Sequence, residues 1–153
     1  MRYKNLIVGI VIIASLLGFT TKVMSDPLDI VKVTDLSPKK QVEYFADLYV
    51  VDSNLISLII DHESQWDNSA VGDGGRSRGI AQFQKSSFER MAKAMGEELD
   101  YTSEFDQIKL LVWGVANGYG REWTAYRCIK NGGKYNFYSK QLGKHFHITC
   151  KIA

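Results

Sequence analysis

Glu63 stands at the end of an apolar run that includes Leu55, Ile56, Leu58, Ile59 and Ile60, and Ser64-Gln65-Trp66 follows it directly. A glycine-rich stretch comes next, Gly72-Asp73-Gly74-Gly75, and then Gly79-Ile80-Ala81-Gln82-Phe83. These residue types in this order put one carboxyl group in a half-apolar cleft, opposite backbone amides and a side-chain amide. The chemistry that suits such a site is cleavage of a glycosidic bond. That reaction needs a carboxylic acid still protonated at working pH. Burial raises a carboxyl pKa, and so does the negative end of a helix. Glu63 is placed to feel both. The plain alternative is a solvated glutamate at a helix end.

The segment Gly79-Ile80-Ala81-Gln82 begins 16 residues after Glu63. A glycine at close approach beside a side-chain amide can line a sugar subsite. Equally, it can be a buried turn in which Gln82 bonds backbone. Asp73, six residues before Gly79, is a candidate second carboxylate, or a turn residue that caps its own backbone. Arg76 and Arg78 could meet peptide carboxylates, or be solvated. Trp66 and Trp123 could stack on sugars, although Trp123 reads better as core. His62 reads as a packed polar residue. His145-Phe146-His147 resembles a metal pair superficially, with no third ligand nearby, so no metal and no cofactor are expected.

The elements that must hold these residues read as helices. Ser37-Pro38 opens the first, with Val42, Phe45, Leu48 and Tyr49 at helical spacing. Asp52-Ser53 caps the second, which carries Leu55, Leu58, Ile59 and His62 on one face and Ile56, Ile60 and Glu63 on the next. So wide an apolar arc marks a central helix. Four glycines within residues 72–79 predict a tight loop, and at most a minimal β-hairpin near 71–84. Ser86 and Glu89 form a capping-box pattern for a helix that runs through Met95 and ends at Gly96. Thr102 or Ser103 caps another, lined by Phe105, Ile108, Val112 and Val115 and closed by Gly118. Gly114 inside it costs about 1 kcal/mol against Ala, which points to close packing. Trp123, Tyr126 and Cys128 begin one more short helix. Asn131-Gly132-Gly133 is a turn, and the aromatic, basic tail from 134 to 153 carries no assignment.

The first 25 residues are a separate matter. Arg2 and Lys4 precede an apolar run of 14 residues from Leu6 to Phe19, with Val23-Met24-Ser25 at a cleavage position. This predicts a secretory signal peptide over residues 1–25, or else an N-terminal membrane anchor; the run is short of the roughly 20 residues that a span needs. The domain proper is then 26–153, with an extension from about 130. Removal of Arg2, Lys4 and Lys22 leaves 16 basic against 17 acidic residues. So balanced a domain gives no electrostatic case for a nucleic-acid partner. At 45% hydrophobic and 12% aromatic, it is a globular domain with room for only a small core. In an exported chain its two cysteines, Cys128 and Cys150, are expected to pair, which would contribute about 3 kcal/mol.

Glu63-Ser64, the Gly-Asp-Gly-Gly turn, Gly79-Ile80-Ala81-Gln82 and the later Ala116-Asn117-Gly118-Tyr119 together resemble the catalytic domain of soluble-type lytic transglycosylases. Goose-type lysozymes share that core. The resemblance covers roughly residues 40–128. It implies an all-α, lysozyme-like fold acting on peptidoglycan glycan strands, at the β-1,4 bond between N-acetylmuramic acid and N-acetylglucosamine. It makes Glu63 the general acid and then the base on the muramyl 6-hydroxyl, giving a 1,6-anhydro sugar without water. It makes Ser64 a neighbour of Glu63 that steadies acid or substrate, and Gln82 a contact to an N-acetyl group or to the acid. Gly79, Ile80, Asn117, Tyr119 and Asp73 are the other substrate-side candidates. Ala81 replaces the family's methionine, and Asn117 precedes Tyr119 where the family has the reverse order. Goose-type lysozymes position a water with two aspartates; here one matches Asp73 and the other is Gln84. That favours a transglycosylase, with a hydrolytic muramidase using Glu63 and Asp73 as the alternative. A non-catalytic peptidoglycan-binding domain would usually have lost the Glu63 carboxylate, and an inhibitor or adhesin would lack a cleft beside it. The expected location is the periplasm or cell envelope, or outside the cell. The settings are wall remodelling, a secretion or conjugation machine, or a phage.

Overall fold

Proline has a fixed φ and no N–H to lose, so it suits the first position of a helix. Pro38 takes that position in α1 (Pro38–Tyr49), after Ser37, whose side chain makes no capping bond. A computed structural model describes residues 33–139 and 143–152. The expected leader and most of the expected N-terminal tail lie outside the described residues. Among the described residues, no helix is long and apolar enough to cross a membrane.

In α2 (Ser53–Glu63), the Asp52 carboxylate accepts from Asn54 N–H at 2.9 Å. The buried arc is narrower than the sequence predicts. Leu55, Ile56, Ile59 and Ile60 are buried, Leu58 is only partly so, and His62 is exposed. Each fully buried isoleucine contributes roughly 1.5–3 kcal/mol. His62 is not a packed polar residue: its Nε2 accepts from Lys151 N–H at 3.0 Å, and so helps dock the end of the chain.

The glycine stretch forms a small antiparallel sheet in the order β1 (Val71–Gly72), β2 (Ser77–Arg78), β3 (Phe83–Gln84). A 3-10 turn, Asp73–Gly75, joins the first two strands. The Ser86–Glu89 capping box does not form. β3 runs straight into α3 (Lys85–Met95), so Gln84 takes the cap position without a side-chain bond and Ser86 falls within the first turn. Gly96 ends the helix at φ 80°, where its N–H and that of Glu97 return to Ala92 C=O.

Ser103 rather than Thr102 caps α4 (Glu104–Ala116), accepting from Asp106 N–H. This helix is the centre of the core, packed against α1 and α3. Leu110 and Leu111 are as buried as Ile108 and Val112, while Phe105 and Val115 sit at the margin. A Cβ on Gly114 would strike Met91 Cε, so the close packing expected there is present.

A short 3-10 segment, Tyr119–Glu122, leads to α5 (Thr124–Lys130). The unassigned tail is a hairpin, β4 (Lys134–Ser139) against β5 (Lys144–Thr149), in register from Lys134↔Thr149 to Ser139↔Lys144. A Cys128–Cys150 disulfide ties α5 to the residue after β5, with the Cα atoms 6.2 Å apart. The fold is thus mainly α and lysozyme-like, with a small three-stranded sheet and an added hairpin.

Candidate active site

Glu63 is the last residue of α2, and its carboxyl is mostly buried. Its nearest donor is Ala125 N–H on α5, 3.5 Å from Oε1. Loss of hydration pushes the pKa from 4.5 up to about 7, and the Asp73 charge adds to this. The Ala125 N–H and the more distant Arg127 charge pull the other way without prevailing. A large fraction of Glu63 is therefore protonated at neutral pH, as a general acid requires.

Glu63 opens into a cleft of about 380 Å³. The small sheet and the start of α3 line it with Gly72, Asp73, Ser77, Gln82, Gln84 and Ser87, and the segment leading into α5 lines it with Glu122, Trp123 and Thr124. Asp73 Oδ2 accepts from Ser77 Oγ at 2.7 Å. Gln82 Nε2 donates to Ala70 C=O at 3.1 Å and to Gly79 C=O at 2.9 Å. Gly72 gives the Gln82 amide its room, because a Cβ there would collide with Oε1.

The turn from Gly79 to Gln82 is held from three directions. Ser64 Oγ, just past Glu63, donates to Ile80 C=O at 2.7 Å and accepts from Trp66 N–H at 3.1 Å. Buried Gln107 of α4 accepts from Ala81 N–H at 3.1 Å and donates to Tyr101 C=O at 2.8 Å. Buried Trp123 donates through Nε1 to Ala81 C=O at 2.9 Å. These bonds tie the end of the acid's helix, the central helix and the start of α5 to one turn. Backbone strain gathers here too: Gln65, Trp66, Asp73 and Gln82 all have φ between 49° and 70° without being glycine. Such conformations cost about 1–3 kcal/mol each and persist where their surroundings hold them.

The predicted residues divide. Glu63, Asp73 and Gln82 share the cleft. Ser64 is beside it, with its hydroxyl committed to the turn. Gly79 and Ile80 are buried and do not line the cavity at Glu63. At Gly79, φ is 81° and a Cβ would meet the Gln107 amide, so the position needs glycine. Asn117 is exposed and donates to Trp113 C=O at the end of α4. Tyr119 stacks on Trp113 at 5.6 Å. It reaches the cleft rim only through Arg90, which lies over its ring and pairs with Glu122 at 3.2 Å. Sequence reasoning missed Gln107 as a positioning residue, although a glutamine on an otherwise apolar helix face was its visible signal. Ser77, Ser87, Glu122 and Thr124 carried no such signal.

Residues 42–114 match the family model described as the transglycosylase SLT domain. No curated protein and no solved structure gives a match. The chain therefore carries a soluble lytic transglycosylase-like, lysozyme-like domain. Domains of this kind belong to peptidoglycan-cleaving enzymes of the glycosidic bond.

Proposed function

We propose that this chain is an exported lytic transglycosylase that cuts the β-1,4 bond between N-acetylmuramic acid and N-acetylglucosamine. Glu63 gives its proton to the bridging oxygen as the bond from muramyl C1 to that oxygen breaks. The resulting carboxylate takes the proton of the muramyl 6-hydroxyl. The freed O6 bonds to C1, closing a 1,6-anhydro ring. Glu63 ends protonated, and no water is consumed. The observation that carries this reading is a single mostly buried carboxyl at the cleft, held near pKa 7 by its surroundings. Gln82 and Thr124 line the same cleft and offer polar groups to the sugar. A disulfide suits an oxidising compartment, which supports a site of action in the periplasm or envelope.

A hydrolytic second reading has one observation in its favour: Asp73 lines the same cleft and could position water. Asp73→Asn distinguishes the two. The lytic reading expects anhydro products at a rate within about tenfold of the parent. Loss of about a hundredfold or more, from a parent that yields hydrated reducing ends, would make the enzyme a muramidase.

A further inference from the structure

A second cavity, of about 340 Å³, lies where α5 meets β4. Arg121, Tyr126, Arg127, Lys130, Asn131 and Tyr135 line it. Three of these are cations and none is an acid. Among the described residues, no carboxylate lies within ion-pair distance of Arg121, Arg127 or Lys130. Two of the cations are held over rings instead: Arg127 is 5.0 Å from the Tyr135 ring, and Lys130 is 5.8 Å from the Tyr126 ring. Such contacts fix a cation's place without neutralising it. Arg127 Nη2 donates to Thr124 Oγ1 at 2.8 Å, while its Nε is shut off from solvent with no partner among the described residues. Arg127 is half-buried while Arg121 and Lys130 keep their solvent, and three cations without a carboxylate partner around one cavity suit an anion.

The cavity adjoins the cleft. Glu122 and Thr124 line the cleft, and their near neighbours Arg121 and Arg127 line the cavity. The Arg127 charge also reaches Glu63. In peptidoglycan the muramyl sugar carries a short peptide with free carboxylates. We propose that this cavity binds the carboxylates of that peptide stem, so that the enzyme prefers peptide-bearing over peptide-free strands. The inference rests on the lytic reading of the cleft. A phosphate of another envelope polymer offers similar chemistry. A stem attached to the sugar in the cleft has the advantage, because its tether supplies a high effective concentration.

The test has two arms. In the first, the intact domain is titrated with a free stem tetrapeptide, and the Tyr126 and Tyr135 ring signals are followed by NMR. Saturable shifts are expected at both rings. Binding should weaken about tenfold in Arg121→Ala/Lys130→Ala, and about tenfold for a peptide with amidated carboxyls. Absent shifts, shifts indifferent to both changes, or equal shifts from inorganic phosphate would each overturn the assignment. In the second arm, kcat/KM is compared on peptide-bearing and amidase-stripped glycan. The ratio should be about ten in the parent and fall to about one in the double variant; an unchanged ratio counts against the proposal. Cleavage of neither substrate would refute the lytic reading of the cleft, while the titration still decides the cavity.

Discussion

Replacing Glu63 with glutamine keeps the side chain's shape and removes its charge. The surroundings raise the Glu63 pKa from 4.5 to about 7, with burial as the main cause. At about 1.4 kcal/mol per pKa unit, the ionised carboxylate costs the folded state about 3 kcal/mol. The sign follows from proton counting. Between pH 4.5 and 7, folded Glu63 keeps a proton that the unfolded chain has released. Unfolding in that window sheds a proton, so stability falls as pH rises through it. Below the window both states are protonated and the cost vanishes. Glu63→Gln should therefore gain up to about 3 kcal/mol over the parent at pH 8, roughly 10 °C in Tm. At pH 4 the two proteins should agree within about 1 kcal/mol. Urea unfolding at pH 4, 6 and 8, followed by tryptophan fluorescence, measures the difference. An offset that stays the same at all three pH values, or no gain at pH 8, would refute the burial argument for Glu63. A gain would also mean that the acid costs the fold stability, as functional groups often do.

The same pKa sets the rate profile. Cleavage should fall about tenfold per pH unit above pH 7, where Glu63 gives up its proton, and a flat profile to pH 9 would exclude it as the acid. Gly79→Ala places a Cβ against the Gln107 amide at a positive φ. It should lower stability by about 2 kcal/mol or more and disturb the turn that carries Gln82, as read by urea unfolding and by KM. Cys150→Ser opens the loop closed by Cys128 and should cost about 3 kcal/mol, seen as the same loss when the parent is reduced.

The helices were legible because their signals are local. Pro38, Asp52, Ser103 and Gly96 sit at the ends that their chemistry predicts. The Ser86–Glu89 pattern misled because β3 enters α3 without a break, and a pairing with Arg78 across the sheet decides where Phe83 lies. The tail was opaque for a similar reason. Its strands find each other across a turn, and their position on α5 depends on a disulfide and on Lys151 reaching α2. At the site, Glu63, Asp73 and Gln82 were readable because they lie within 20 residues of one another. Glu122 and Thr124 come from the 3-10 segment and the start of α5, far along the chain from Glu63, and nothing in their local sequence announces that they line the cleft. Asn117 and Tyr119 sit in a motif that resembles the family's; Asn117 caps the end of α4, Tyr119 opens the 3-10 segment after it, and neither is among the residues that line the cavity at Glu63.

The central claim is that Glu63 serves as both acid and base in anhydro-forming cleavage. Mass spectrometry of muropeptides released from purified peptidoglycan by residues 26–153, alongside Glu63→Gln, tests it most directly. The account predicts 1,6-anhydro-muropeptides from the parent and a loss of at least about a hundredfold in the variant. Hydrated reducing ends from the parent, or anhydro products undiminished in the variant, would contradict it.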